Sequence, residues 1–126
     1  LGERVYAPGK WTAAQILQHC IDTERILAYR ALCIGRGETQ SLPGFDENAY
    51  AAGAPATRSI SALMQEYVCA QQSSRYLFSS FSEEVLSYSG TANGVAINVA
   101  ALGFAILGHG LHHQRIFEER YFPLIG

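Results

Sequence analysis

Residues 96–121 read AINVAALGFAILGHGLHHQRIFEERY and carry the strongest structural signal in the chain. Their apolar residues recur at helical spacing, which predicts one long helix that Pro123 prevents from continuing. At 100° per residue, Leu102, His109 and His113 fall on the same third of the helix circumference. Two imidazoles therefore occupy the stripe that should face a hydrophobic core, where leucine or isoleucine is expected.

Three other segments have the same helical character. The first runs over residues 12–35, with Thr12 as its N-cap, and the second over residues 59–80. A short third helix follows Ser82, whose hydroxyl suits an N-cap, and ends near Gly90. Long helices with apolar stripes bury those stripes against one another, so the sequence predicts an all-α bundle.

The remaining segments are predicted to be connections. Residues 36–56 form a long connection with one short helical turn at residues 47–52, and a connection of that length is often functional. Asn93 and Gly94 predict a turn. Residues 95–99 would pass for a strand in isolation, but helical spacing continues through them, so no strand is predicted.

Composition limits the class of protein. The chain has 126 residues, of which 48% are hydrophobic and 16% charged, as expected for one folded domain over residues 1–126. The nine basic residues are scattered, so no nucleic-acid groove is predicted. No apolar run is long enough to span a bilayer, and no secretory leader is recognisable. Three unclustered cysteines predict free thiols in a reducing compartment, the cytoplasm.

The histidine spacing is typical of a metal site. Side chains at positions i and i+4 lie about 5–6 Å apart on one helix face, close enough for His109 and His113 to bind one ion. His112 is also within reach of His109 and is the alternative ligand, but His113 is preferred because it shares the helix face of Leu102. The alternative is that these are core histidines whose ring nitrogens have hydrogen-bond partners.

His19 is the remaining histidine in the chain. It lies on a partly apolar flank of the first long helix, beside Ile16 and Ile26, which another helix of the bundle could meet. Three imidazoles from two helices would leave at least one coordination position open to water or substrate. The other interpretation of His19 is a surface or half-buried histidine without a ligand role.

The chain resembles the DinB-like, or YfiT-like, superfamily of metal-binding four-helix bundles. The segments that carry the resemblance, in chain order, are Gly9-Lys10-Trp11-Thr12, His19-Cys20-Ile21-Asp22-Thr23-Glu24-Arg25, Tyr29-Arg30, Leu42-Pro43-Gly44-Phe45-Asp46-Glu47-Asn48, Thr91-Ala92-Asn93-Gly94, Gly108-His109-Gly110-Leu111-His112-His113 and Glu119-Arg120-Tyr121. They extend over nearly the whole chain. The resemblance implies an up-down four-helix bundle.

It also implies a function. Members hold one divalent ion, usually zinc or nickel, and the matching ligands are His19, His109 and His113. Some members transfer a low-molecular-weight thiol such as bacillithiol or mycothiol to a small molecule, others are named metal-dependent hydrolases, and dimers are common. We therefore expect a metal-dependent thiol transferase. The alternatives are a metal-dependent hydrolase and a non-catalytic, stress-related metal-binding bundle.

The sequence departs from the family pattern in two places. The family has another long helix before the Gly-Lys-Trp segment, where this chain has eight residues, so that helix is missing here or the bundle is completed otherwise. Gly110 stands where the family often has a glutamate, which removes a carboxylate beside the metal ligands.

Four more residues have predicted roles. Asp46 lies in the long connection and is a candidate catalytic base, with a loop-capping carboxylate as the favoured alternative. Glu24 lies on an apolar stripe and is predicted to pair with an arginine from another element, namely Arg58, Arg75 or Arg120, with a catalytic role as the alternative. Cys20 is predicted to be a packed thiol, and Trp11 to staple the first long helix to the core.

Overall fold

The computed structural model describes residues 11–55, 57–116 and 119. In chain order the elements are α1 (Ala13–Gly35), α2 (Glu47–Gly53), α3 (Ile60–Ser79), α4 (Glu83–Leu86), β1 (Ser89–Ala92), β2 (Val95–Asn98) and α5 (Val99–Ile116). The predicted helical fold is confirmed, with three long helices within the described ranges. The predicted end of the last helix, at residue 121, lies outside them.

Helix α1 is the central element, because α3 and α5 both pack against it. A capping box fixes its start. The Thr12 side chain accepts a hydrogen bond from the Gln15 backbone N–H, and the Gln15 side chain accepts one from the Thr12 backbone N–H. Near that end, Leu17 and Ile21 bury against Leu63 of α3. The opposite end of α1 joins a second cluster, composed of Ala31, Ile34, Val99 and Leu102. Both clusters pack α3 against α1, because Leu77 and Phe78 of α3 also join the second cluster, and the second cluster packs α5 against α1 as well.

A β-hairpin precedes α5, and the sequence analysis was wrong to extend the last helix through it. Strands β1 and β2 pair antiparallel, from Ser89 opposite Asn98 to Ala92 opposite Val95. The predicted turn is confirmed, since Asn93 and Gly94 have φ of 52° and 73°, as a tight hairpin turn requires. The Asn98 side chain accepts a hydrogen bond from the Ala101 amide at 2.7 Å, so α5 begins only after Asn98.

The connection after α1 is tied to this hairpin. Leu42 bridges to Ala92, and its backbone exchanges hydrogen bonds with Thr91 and Asn93 at 2.9 and 3.0 Å. The Arg30 guanidinium donates to the Pro43 carbonyl at 2.8 Å. The predicted short helix in this connection is confirmed as α2, whose N-cap is Asp46. The first half of the long connection is therefore anchored to the hairpin and to α1, and α2 in its second half packs against α1.

An open cavity of about 870 Å³ separates α3 from α5 above α1. Its principal lining residues are Leu17, Cys20 and Glu24 of α1, Met64, Tyr67 and Val68 of α3, and Phe104, Leu107 and Leu111 of α5. We call this cavity the apolar groove. Three of its α5 residues are largely exposed, including Phe104 at 73%. Among the described helices, none combines the length and apolar character needed to cross a membrane.

Candidate metal centre

Two helices supply the three histidines. His19 lies in the second turn of α1 and is buried, with 6% of its surface exposed. The Trp11 indole packs edge-on against its ring at a centroid distance of 4.8 Å. His109 and His113 lie on successive turns of α5 and are half-buried. Because α5 packs on α1, the fold brings together side chains that are 90 positions apart in sequence.

The three side chains converge through the same ring atom. The Nε2 atom of His109 lies 2.8 Å from Nε2 of His19 and 3.0 Å from Nε2 of His113. All three histidines offer ligand atoms that lie within 4.8 Å of one another. Metal–nitrogen bonds of about 2.0–2.1 Å place neighbouring ligand nitrogens ~2.9–3.4 Å apart. The separation of 3.0 Å lies inside that range and that of 2.8 Å just below it, so a small outward shift of one ring lets the donor set hold one ion.

Burial keeps these rings neutral. Loss of water contact is the main cause that lowers the pKa of His109 to about 4, and the neighbouring His113, His19 and His112 contribute to that value. Burial likewise lowers the pKa of His113 to about 4, with His19 and His112 as further causes. The pKa of His19 is also lowered by burial, against the opposing effect of Glu47 and Asp22. A neutral imidazole has the free lone pair that a metal requires.

The outer ring nitrogens differ in their surroundings. When Nε2 points toward the other two histidines and carries the lone pair, the proton of a neutral ring lies on Nδ1. Nδ1 of His19 is 3.4 Å from Oγ1 of Thr23, which can accept that proton and hold the ring orientation. Nδ1 of His113 is buried and lacks a hydrogen-bond partner among the described residues. Hydrogen bonding within the core therefore does not account for all three histidines.

Two other site residues from the sequence analysis lie outside this cluster. His112 is exposed, and although its ring is 5.1 Å from that of His113, it is not part of the three-histidine group. Asp46 Oδ1 accepts from the amides of Asn48 and Ala49, at 3.0 and 3.1 Å, as the N-cap of α2. This is the loop-capping role named as its alternative, and its role as a base stays a prediction.

The predicted arginine partner of Glu24 is not found in the described residues. Glu24 is buried, and its Oε2 accepts a hydrogen bond from the Ser74 hydroxyl at 2.5 Å. Arg58 pairs instead with Glu66, and Arg120 lies outside the described residues. Burial raises the pKa of Glu24, opposed by the Ser74 hydrogen bond. The Ser74 hydroxyl is thus the hydrogen-bond partner of the Glu24 carboxyl, where the sequence predicted an ion pair with an arginine.

The neighbours of Glu24 on α1 behave as predicted or add to the site. Cys20 is a packed thiol with 3% exposure, and burial, aided by Glu24, raises its pKa to about 12. Trp11 packs against the cluster that contains Cys20, as predicted, and also against His19. The sequence analysis missed Thr23 as a contact of His19. The signal was available, because Thr23 follows His19 by four residues on one helix.

Taken together, the fold is of the DinB-like four-helix-bundle type, with a three-histidine cluster between two of its helices. The sequence model of the DinB superfamily matches residues 2–117, and the chain belongs to that superfamily. A solved structure with the same fold is that of YfiT from Bacillus subtilis, described as "a probable metal-dependent hydrolase with an unusual four-helix bundle topology". The TM-score is 0.79 at 19% identity, over 93% of this chain and 69% of that one. A comparison with curated protein sequences finds no match.

Proposed function

We propose that this protein binds one divalent metal ion through His19, His109 and His113 and uses it to activate a small molecule. The convergence of three Nε2 atoms supports this proposal most strongly, because a single ion would satisfy all three lone pairs. Zinc and nickel are the ions proposed, since both suit imidazole ligands. We also propose that it acts in the cytoplasm, where free cysteines stay reduced.

The ion would act as a Lewis acid that lowers the pKa of a thiol or water molecule bound beside the imidazoles. Thr23 fixes the ring of His19, and Trp11 covers that ring from one side. His113 borders the apolar groove, so a bound small molecule has a largely apolar surface beside the ion. Such a surface suits the apolar part of an electrophile.

Within this class we propose thiol transfer ahead of hydrolysis. A base that takes a proton from water would assist hydrolysis, and the candidate Asp46 has its Oδ1 engaged at the start of α2. Residue 110, next to His109, is glycine and offers no carboxylate. A thiol with a lowered pKa needs no such base at neutral pH. The description of YfiT as a metal-dependent hydrolase supports the second candidate, a hydrolase.

Metal content tests the proposal. Purified protein should hold one zinc or nickel ion per chain by elemental analysis, and His109→Ala and His113→Ala should each lose most of it. His112→Ala is the matched control, because it removes a neighbouring exposed imidazole and should keep the ion. Equal, near-zero metal in wild type and all variants would leave the histidines as core residues. A non-catalytic protein would hold metal but react with no substrate.

A second assay separates the two reactions. Metal-loaded protein is mixed with bacillithiol or mycothiol and monochlorobimane, and in parallel with p-nitrophenyl acetate without thiol. Thiol transfer predicts accelerated bimane conjugation that depends on His109 and His113, with ester cleavage at the background rate. The reverse pattern would favour the hydrolase.

A further inference from the structure

Tyr67 of α3 reaches across the apolar groove to α5 at the metal end. A Cβ atom built on Gly110 would lie 3.1 Å from the Tyr67 hydroxyl oxygen, closer than a side chain normally tolerates. Gly110 lies between the two metal-ligand candidates of α5, one residue after His109 and three before His113. The absence of a side chain at position 110 therefore makes the room that the phenol occupies.

The same groove holds the phenol and one of the proposed ligands. Tyr67, Gly110 and His113 all line it. On a helix, positions 110 and 113 are neighbours on one face, about 5–6 Å apart. A small molecule that binds next to His113 from the groove side thus meets the Tyr67 hydroxyl.

The phenol is held and protonated at this position. Its ring packs against the buried clusters around Cys20 and Leu63, which fixes the side chain. Burial, with Cys20 and Glu24 as further causes, raises the pKa of Tyr67 to about 12. A hydrogen bond with Gln71 lowers that pKa, as expected when the amide donates to the phenolic oxygen. The O–H proton of Tyr67 then stays available for another acceptor.

We propose that Tyr67 is a substrate-binding residue that donates a hydrogen bond to an oxygen atom of the small molecule held at the three-histidine metal. The inference rests on the proposed function. It adds one feature of the substrate: next to the atom that binds the ion, the substrate has an oxygen that accepts a hydrogen bond. Gly110 contributes to this arrangement, because a side chain there would crowd the Tyr67 hydroxyl and push it by a few tenths of an ångström.

The test uses acetate as a probe on Co²⁺-loaded protein, because acetate can bind the ion with one oxygen and accept from Tyr67 with the other. Visible absorption of the cobalt reports both metal content and acetate binding. Tyr67→Phe should keep one Co²⁺ per chain and bind acetate about tenfold more weakly, the loss expected for one hydrogen bond to a charged group. Tyr76→Phe, a change at an exposed tyrosine of the same helix outside the groove, should bind acetate as wild type does.

Two results would overturn the inference while leaving the metal site intact. One is an equal acetate affinity in wild type and Tyr67→Phe. The other is loss of Co²⁺ from Tyr67→Phe, which would make the phenol a structural support of the site. Failure of the wild-type protein to bind Co²⁺ would instead refute the proposed function, and this inference with it.

Discussion

The lowered pKa values of the histidines predict how the metal responds to acid. Protons compete for an imidazole only when the pH approaches its pKa, and that pKa is about 4 for His109 and His113. The ion should therefore be retained as the pH falls through ~6.5, the ordinary imidazole value, and reach half-release only at or below about pH 5. Dialysis of zinc-loaded protein at a series of pH values, followed by elemental analysis, measures this. Half-release near pH 6.5, with the helical circular dichroism unchanged, would contradict it.

The Glu24–Ser74 pair predicts opposite effects for two conservative changes. Ser74→Ala leaves a buried carboxyl without its donor and should lower the free energy of unfolding by about 1–3 kcal/mol. Because burial raises the pKa of Glu24, the folded protein holds this proton more tightly than the unfolded chain. The free energy of unfolding of the wild type should then fall as the pH rises above the ordinary glutamate pKa. Glu24→Gln should therefore compare better with the wild type at pH 8 than at pH 5.

Urea unfolding at both pH values tests this pair. If Glu24→Gln were as damaging as Ser74→Ala, and more so at pH 8, the carboxylate would be stabilising in its charged form. That outcome would support the ion pair between Glu24 and an arginine that the sequence predicts, with Arg120, outside the described residues, as the candidate partner.

At the residue scale, what the sequence reveals depends on how close the partners lie along the chain. His109 and His113 share one helix face, so their spacing alone identifies them as a pair. His19 belongs to another helix, and the sequence joined it to them chiefly through family resemblance. Glu24 shows the limit, since an apolar stripe reveals that a carboxyl is buried but not which donor reaches it. The position of Ser74 depends on the packing of α3 against α1.

At the element scale, the hairpin turn gives a clean test of backbone strain. A Cβ added at Gly94 or at Gly53 would meet no atom within 4 Å, so neither substitution causes a clash. Gly94 has φ of +73° in the turn, whereas Gly53 is the last residue of helix α2. Gly94→Ala should therefore lower the free energy of unfolding by about 1–2 kcal/mol. Gly53→Ala should be neutral or slightly stabilising, because alanine reduces the entropy of the unfolded chain.

Thermal or urea unfolding of the two alanine variants measures the difference. Equal effects would mean that the positive φ is not needed for the turn. Metal content should be unchanged in both, since neither residue contacts the histidines.

The elements differ in how far the sequence predicts them. Helix α1 begins and ends where the capping residue and the glycines indicate, because a long apolar stripe and local caps agree. The hairpin was missed because each strand has only four residues, too few for alternation to outweigh helical spacing that continues into α5. Only the pairing of the two strands and the Asn98 cap distinguish strand from helix there.

At the scale of the whole molecule, the main feature is an apolar face that the described residues leave uncovered. The solved structure of YfiT is a four-helix bundle, whereas the described residues here contribute three long helices. The apolar groove lies between α3 and α5. Phe104, Leu107 and Leu111 follow the i, i+3, i+7 spacing of a helix face and are 64–73% exposed. Such a continuous apolar face on a folded chain marks an interaction site.

We propose that a second copy of the chain covers this face in a homodimer, the assembly that the family resemblance implies. Because the exposed stripe runs along α5, two copies related by a two-fold axis could pack α5 on α5, each covering the groove of the other. Light scattering should then give twice the 13.8 kDa chain mass. Phe104→Asp buries a charge in both halves of that contact and should weaken dimerisation by at least ~30-fold, about 2 kcal/mol.

Tyr76→Asp is the matched control for the dimer. It changes an aromatic residue that is 83% exposed on α3, outside the groove, and should leave the dimer intact. A monomeric wild-type chain, or a dimer that Phe104→Asp does not affect, would contradict association through α5. The apolar face would then need another covering helix, such as one belonging to a longer polypeptide. Whatever covers the face has to leave the groove open only at its metal end, near His113 and Tyr67.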